Sequence, residues 1–174
     1  MSPDRLGQLL RRAAHRTEPE RLMRLLREGA DINWQGDGHG TALIWVVWNR
    51  ELSMLKLLLD NGADIEVKDG SGRTALSHAA VSGRPDVAAC LLDRGADLEA
   101  MDNTGKTPLV TAVKSGKVDV VRLFLRRGAN IDARVKGRGV KDFVQHEACR
   151  SVLDEEAECL QRWHRRRTLV LWRQ

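Results

Sequence analysis

The sequence repeats itself with a period of 33 residues. The tripeptide Gly-Ala-Asp occurs three times and Gly-Ala-Asn occurs once, beginning at Gly29, Gly62, Gly95 and Gly128. Two other features keep the same spacing: a pair of large apolar residues just before each of these glycines, and a threonine at positions 41, 74 and 107. A fixed period of this length indicates stacked units, each a small supersecondary element that packs against its neighbours.

Each unit is predicted to contain two short helices. In the segment GRTALSHAAVSG, Thr74 precedes an alanine-rich helix and Gly83 ends it. In RPDVAACLLDRG, Pro85 lies in the first turn, where its missing N–H costs little, and Gly95 ends the second helix. The extended segment that follows, ADLEAMDNTGK, contains the turn-forming residue types Asp, Asn and Gly, and it predicts a hairpin-like loop.

A unit of this size cannot bury its apolar face alone, so the units must stack. We expect neighbouring units to pack through the apolar pairs, such as Leu91 and Leu92. Small residues such as Ala79, Ala80 and Ala112 would let their helices approach closely.

The units resemble ankyrin repeats. DGSGRTALSHAA and DNTGKTPLVTAV are similar to the family motif D-x-x-G-x-T-P-L-H-x-A, and the LLxxGAD endings match as well. Ser77, Val110 and Ile44 stand where the motif has histidine, so the polar bond of that histidine is lost or substituted, and Ala42 and Ala75 replace its proline. The resemblance implies an all-α fold, an ankyrin solenoid of about four to five stacked helix-turn-helix units with hairpin-like loops, caps included.

The repeat register divides the chain into six segments. They are an N-terminal capping repeat at 1–35, ankyrin repeats at 36–68, 69–101 and 102–134, a degenerate C-terminal cap at 135–160, and a basic aromatic tail at 161–174. The first helix is predicted to turn an apolar stripe toward the next unit, formed by Leu6, Leu9, Leu10, Ala13 and Ala14. The closing unit breaks the motif but keeps apolar residues at helical spacing, namely Val140, Phe143, Val144, Ala148 and Val152.

Composition restricts the function classes. The net charge of +5 favours acidic partners without identifying them. The three cysteines are an odd number and contain no CxxC pair, which argues against a disulfide framework and favours a reducing compartment, so we expect a cytoplasmic or nuclear location. The longest apolar run, residues 42–48, is too short to span a bilayer.

The sequence predicts no catalytic residues, no cofactor and no metal. Ser77 and His78 are adjacent on a repeat helix, where packing explains them, and no further residue completes a catalytic set. His146 and Cys149 lie one helical turn apart and Cys159 follows, but zinc sites usually show closer paired spacing and a fourth ligand. We therefore expect a non-enzymatic protein.

Two tryptophans three residues apart, Trp45 and Trp48 in GTALIWVVWNR, share one face of a helix. In the repeat register Trp45 aligns with His78, in the packed part of the helix, and we expect it to fill space between units. Trp48 aligns with Val81 and Lys114 at the end of the helix, and it is predicted to contact a partner. The alternative is that Trp48 folds back over the first helix and belongs to the core.

The resemblance implies an interaction surface on the concave side, formed by the hairpin tips and the exposed side of each first helix. Transferred position by position, the tips contribute Lys68, Ser71, Arg73, Met101, Asn103, Thr104 and Lys106. The helices contribute Trp48, Asn49, Val81, Ser82, Lys114 and Ser115. We expect a monomer that binds a segment of another protein, and an acidic segment with one large apolar residue would suit this surface.

The tail LQRWHRRRTLVLWRQ supports an alternative function. Its basic cluster lies among tryptophans and aliphatic residues and consists of Arg162, Arg165, Arg166 and Arg167. Such a tail can bind RNA, another nucleic acid or an anionic membrane with the repeats as a scaffold, or it can be a helix that caps the array. Separately, LLREGADIN resembles the pattern recognised by the asparaginyl hydroxylase of ankyrin repeats, with Asn33 as the candidate residue.

Overall fold

The computed structural model describes residues 2–36, 38, 40–49 and 51–158 of the chain. Eight helices occur in pairs: α1 (Pro3–His15), α2 (Pro19–Arg27), α3 (Ala42–Trp48), α4 (Leu52–Asp60), α5 (Ala75–Ser82), α6 (Pro85–Asp93), α7 (Pro108–Lys114) and α8 (Val118–Arg126). A two-stranded hairpin, a 3₁₀ helix (Val140–Phe143) and a helix α9 over 147–158 follow. No helix in these ranges is long and apolar enough to cross a lipid bilayer.

The helices form two rows. The first helices of the units, α1, α3, α5 and α7, each contact the next one, and α7 contacts the 3₁₀ helix. The second helices α4, α6 and α8 form the other row, and each pairs with the first helix of its own unit. The hairpin loops precede the first helices, so the first row and the loops form one face of the array.

Local signals set the helix ends. All four prolines of the chain occupy the first residue of a helix, at Pro3, Pro19, Pro85 and Pro108. Thr41, Thr74 and Thr107 are buried, and each hydroxyl accepts a hydrogen bond from the backbone N–H three residues later. The glycines of the Gly-Ala-Asp and Gly-Ala-Asn tripeptides all have φ between +84° and +88°, which favours glycine.

The core runs along the whole array between the two rows. Of each apolar pair, the first residue is fully or almost fully buried and the second is partly exposed, which distinguishes Leu91 from Leu92. Ala79, Ala80 and Ala112 have no exposed surface, as expected for residues at close helix contacts.

Two of the hairpin loops are ordered by an aspartate at their start. The carboxylate of Asp69 accepts hydrogen bonds from the backbone N–H groups of Ser71 and Arg73, at 2.8 and 2.9 Å. Asp102 binds the N–H groups of Thr104 and Lys106 in the same way, at 2.8 and 3.0 Å. Because these donors lie within a single loop, each aspartate fixes the shape of its own hairpin tip.

Hydrogen bonds join each unit to the next one, both between the hairpins and between the segments that precede them. The bonded residues of the preceding segments keep the same separation in sequence from unit to unit. The N–H of Asn103 donates to the carbonyl of Ser71 at 3.0 Å, which links two neighbouring tips. The side chains of Asn33, Glu66 and Glu99 accept from the backbone N–H 31 residues later, at 2.8 to 2.9 Å. Equivalent atoms therefore make equivalent bonds along the array.

The closing unit departs from the repeat. Strands β1 (Arg134–Val135) and β2 (Arg138–Gly139) pair antiparallel, and the two residues between them, Lys136 and Gly137, both have positive φ, as a type I′ turn requires. Val135 stands where the two preceding units have the loop aspartate.

The closing unit contains two separate helical segments. The 3₁₀ helix ends at Phe143, and α9 begins at residue 147. The buried face of α9 includes Cys149, Val152 and Leu153, whereas Ala148 is exposed.

The N-terminal unit is covered by Trp34, which follows the Gly-Ala-Asp segment. Its indole N–H donates to the carboxylate of Asp4 at 3.2 Å, and its ring lies against Gly7 on the buried side of α1. A Cβ atom at Gly7 would overlap this ring. Gly7 is therefore a packing requirement of the capping unit.

Replacement of Gly7 by alanine is expected to lower the melting temperature, although alanine usually stabilises a helix by about 1 kcal/mol relative to glycine. The displaced indole ring should outweigh that gain, because overpacking costs about 1 to 3 kcal/mol. Thermal unfolding of Gly7→Ala measures the effect. Gln8→Ala, at an exposed site of the same helix, is the control and should change stability little. A higher melting temperature for Gly7→Ala would contradict this packing.

Candidate functional site

More than half of the predicted contact residues line one recess between the hairpin tips and the first row of helices. This cavity of about 390 Å³, the central recess, is lined by Ser71, Arg73, Val81, Asp102, Thr104, Lys106, Thr111, Lys114 and Ser115. The hairpins supply its cationic rim and the ends of α5 and α7 supply its floor. We call the whole face formed by the hairpin tips and the first row of helices the groove.

The polar predicted residues outside the central recess are engaged in bonds within the protein. The amide of Asn49 donates to the carbonyl of His15, and the hydroxyl of Ser82 donates to the carbonyl of His78. The amide of Asn103 donates to a carbonyl of the preceding hairpin at 3.2 Å. These residues hold neighbouring elements in place.

A similar bond joins two neighbouring hairpin tips. The ammonium group of Lys68 donates to the carbonyl of Met101 at 2.9 Å, while the side chain of Met101 is 51% exposed. The tip of this hairpin thus presents an apolar side chain to solvent.

The charge balance of the central recess is positive. Arg73, Lys106 and Lys114 provide three cations. Among the described residues, the lining contains one carboxylate, that of Asp102, while Asp69 lies 4.0 Å from the guanidinium of Arg73. Burial tends to raise the pKa of Asp102, but hydrogen bonds from Thr104 and Lys106 outweigh that effect and hold the pKa below its ordinary value. Asp102 therefore stays ionised near neutral pH, and the three cations outnumber it.

Trp48, at the end of α3 in the first row of helices, has half of its surface exposed. Its exposed fraction is 50%, one of the largest for an apolar residue in the described ranges. The ring makes an edge-to-face contact with the imidazole of His78 in the next unit, with centroids 5.5 Å apart. It leans toward the next unit and remains accessible, and its contact with a partner stays a prediction.

His78 is buried and is bonded to the loop aspartate of its own unit. Its Nε2 atom lies 2.8 Å from a carboxylate oxygen of Asp69. Burial lowers the pKa of His78, against the opposing effect of Asp69, and the bonds that Asp69 accepts from Arg73, His78 and Ser71 outweigh burial and lower the pKa of this carboxyl. An ionised carboxylate only accepts, so the proton of the neutral imidazole is on Nε2.

The sequence attributed His78 to packing alone, and this bond to Asp69 corrects that interpretation. The detectable signal was Asp69, nine residues before His78. Through the contact with Trp48, the pair also supports the exposed ring.

Acidification is expected to destabilise the protein through His78. Folding lowers the pKa of His78, so below about pH 6.5 the unfolded chain binds a proton at His78 that the folded chain does not bind. The free energy of unfolding therefore falls as the pH drops below this value. Asp69, with its lowered pKa, adds a further loss below about pH 4. Melting temperatures of the wild type and His78→Gln between about pH 7.5 and 5 test this. Equal slopes for the two proteins would contradict it.

The comparison with protein families decides the assignment. The family model described as "Ankyrin repeats (3 copies)" matches residues 10–102 and, in a second overlapping alignment, residues 43–135. The chain belongs to the ankyrin repeat family. The predicted all-α ankyrin solenoid is thereby confirmed. A comparison with curated proteins found no match, so the assignment rests on the repeats themselves.

Ankyrin repeats are generally protein–protein interaction modules, and the family is typically non-enzymatic. Within the described ranges, no group of three or more His, Cys, Asp or Glu side chains is placed to hold a metal ion. Cys149 is fully buried, and burial raises the pKa of its thiol, whereas His146 is exposed. Cys159 lies outside the part of the chain that the structure describes.

The ankyrin array has a second recess, which the sequence did not predict. This cavity of about 370 Å³, the cap recess, lies between α1 and α3 and is lined by Gln8, Arg11, Arg12, His15 and Trp45. The guanidinium of Arg11 lies 5.1 Å from the ring centroid of Trp34 and 5.6 Å from that of Trp45.

Trp45 fills part of the space between the first two ankyrin units. Its ring meets the imidazole of His15 edge to face, with centroids 5.4 Å apart. Its indole N–H is buried and has no acceptor among the described residues. A buried donor without an acceptor costs about 1 to 3 kcal/mol, so this indole N–H is a local cost to the stability of the first units.

Two further predictions concern single positions. Asn33 is half-buried, and its side-chain oxygen accepts the N–H of Asp64 at 2.9 Å. Its hydroxylation stays a prediction. The tail residues Arg162, Arg165, Arg166 and Arg167 lie outside the described residues.

Proposed function

We propose that the protein is a non-enzymatic interaction module that holds an acidic segment of a partner protein in its groove. One large apolar residue of that segment would pack on Trp48. The observation that carries this proposal is the half-exposed Trp48 ring in the same row of helices as a cationic recess. An exposed tryptophan offers a large rigid contact, and this residue type is enriched among the residues that dominate binding energies.

Charge complementarity supports an acidic partner. The described lining of the central recess has three cations and one ionised carboxylate, so an incoming acidic residue meets a net positive site. Such complementarity raises the association rate and disfavours basic partners. The predicted contact residues that are bonded internally contribute rigidity, which lowers the entropic cost of binding.

Selection of peptides from a random displayed library on the intact chain tests the proposal. We expect enrichment of segments with a large apolar residue next to Asp or Glu. Lys106→Gln with Lys114→Gln should weaken the selected peptides, while Lys56→Gln, exposed on the second row, should not. Failure to enrich, or enrichment without acidic residues, would contradict the proposal.

The alternative function, binding of RNA or anionic membrane through the tail, gives a different result. Affinity for RNA or for vesicles with anionic lipids would then fall log-linearly with salt concentration. It would also disappear when Arg165, Arg166 and Arg167 are replaced by glutamine. Peptide binding in the groove should be unaffected by these tail substitutions.

A further inference from the structure

We propose that the cap recess binds a second acidic group of the same partner segment. The partner would then be an extended segment with two acidic residues about six positions apart and an apolar residue between them. This inference rests on the proposed function. The occupant of the cap recess is a side-chain carboxylate of that segment.

The repeat register places both recesses on the groove. Arg12 and Trp45 in the cap recess occupy the same repeat position as Thr111 in the central recess. His15 likewise corresponds to Lys114. Because α1, α3, α5 and α7 form one row, the contact between Trp48 and His78 lies between the two recesses.

The chemistry of the cap recess fits a carboxylate. Arg12 and His15 are exposed at its edge, and the guanidinium of Arg11 lies between two indole rings. None of the described residues that line this recess is acidic. A carboxylate would therefore place negative charge beside the exposed guanidinium of Arg12.

The distance between the recesses sets the spacing in the partner. The cap recess lies between α1 and α3, and the central recess lies between α5 and α7, so their centres are two helix spacings apart. Packed helices lie about 8 to 10 Å apart, which gives about 16 to 20 Å. An extended chain advances about 3.3 Å per residue, so five to six residues cover this distance. The middle of that span reaches Trp48.

The test uses two charge reversals on the same helix of the intact chain. Arg12→Glu lies in the cap recess, whereas Arg5→Glu lies on α1 outside it, and both change the net charge equally. For a peptide selected on the wild type, we expect Arg12→Glu to weaken binding about tenfold and Arg5→Glu less than twofold. Arg12→Lys, which keeps the positive charge, should retain most of the affinity of the wild type. Unchanged melting temperatures ensure that folding is not the cause.

A second comparison links each end of the peptide to its recess. Replacing one acidic residue of the peptide by Gln or Asn should remove the effect of Arg12→Glu, and replacing the other should remove the effect of Lys106→Gln with Lys114→Gln. The selection could instead yield peptides with a single acidic cluster whose affinity does not change with Arg12→Glu. That result would overturn this inference and leave the proposed function intact. Failure to enrich apolar, acidic peptides would overturn both.

Discussion

Replacement of Leu91 by alanine is expected to lower the free energy of unfolding by about 2 to 5 kcal/mol. Leu91 has no exposed surface and lies in α6, between the two rows of helices. The loss combines removal of buried apolar atoms with the cavity that they leave, which a rigid solenoid cannot fully close. Urea unfolding of the variant measures it.

Leu92→Ala is the matched control, because the same chemical change is made at a partly exposed neighbour. Leu92→Ala should lower the free energy of unfolding by clearly less than Leu91→Ala does. Hydrogen exchange should show that the damage from Leu91→Ala spreads mainly to the adjacent units, since each repeat contacts only its neighbours. Equal costs for the two variants, or an even loss of protection along the array, would contradict this arrangement.

Replacement of Trp48 by alanine is expected to weaken partner binding by about 2 kcal/mol or more, which is about thirtyfold in affinity. The melting temperature should change little, because half of the side chain is already exposed. Isothermal titration of a selected peptide, together with thermal unfolding, separates the two effects.

Trp48→Phe serves as a control, because it keeps an aromatic ring and should retain part of the affinity. An unchanged affinity for Trp48→Ala with a lower melting temperature would show that the residue belongs to the core. In that case the apolar anchor of the proposed partner would lose its site.

Most of the repeat architecture could be predicted because its signals are local. Thr74 caps α5 by bonding a backbone N–H three residues later, and Pro85 begins α6 as expected. The sequence could not separate Leu91 from Leu92. Adjacent helix positions differ by about 100° in direction, and the neighbouring units decide which one is covered.

The features that the sequence did not reveal depend on contacts without a repeating marker. Trp34 reaches Gly7 across the first unit, and no tryptophan recurs at the position of Trp34 in the later units. The cap recess was missed for the same reason, since it combines residues of α1 with Trp45 of the next unit. A glycine inside an apolar stripe, such as Gly7, is the signal that a bulky side chain packs there.

In the closing unit the motif residues themselves are absent. Val135 and Val140 replace the loop aspartate and the capping threonine, so neither a tip of the usual shape nor a first helix of the usual length is specified. The chain uses a type I′ turn and a 3₁₀ helix in their place.

The constant spacing of the bonds between units also determines how the array can change in length. Arg94 pairs with Asp60 and Arg127 pairs with Asp93, both at 2.8 Å, and Glu66 and Glu99 accept from equivalent N–H groups. A copy of residues 69–101 inserted after itself would meet the same partners at both of its boundaries. Duplication within the gene can therefore lengthen the groove by one helix spacing without a new kind of interface. The longer groove can then bind a longer segment of a partner protein.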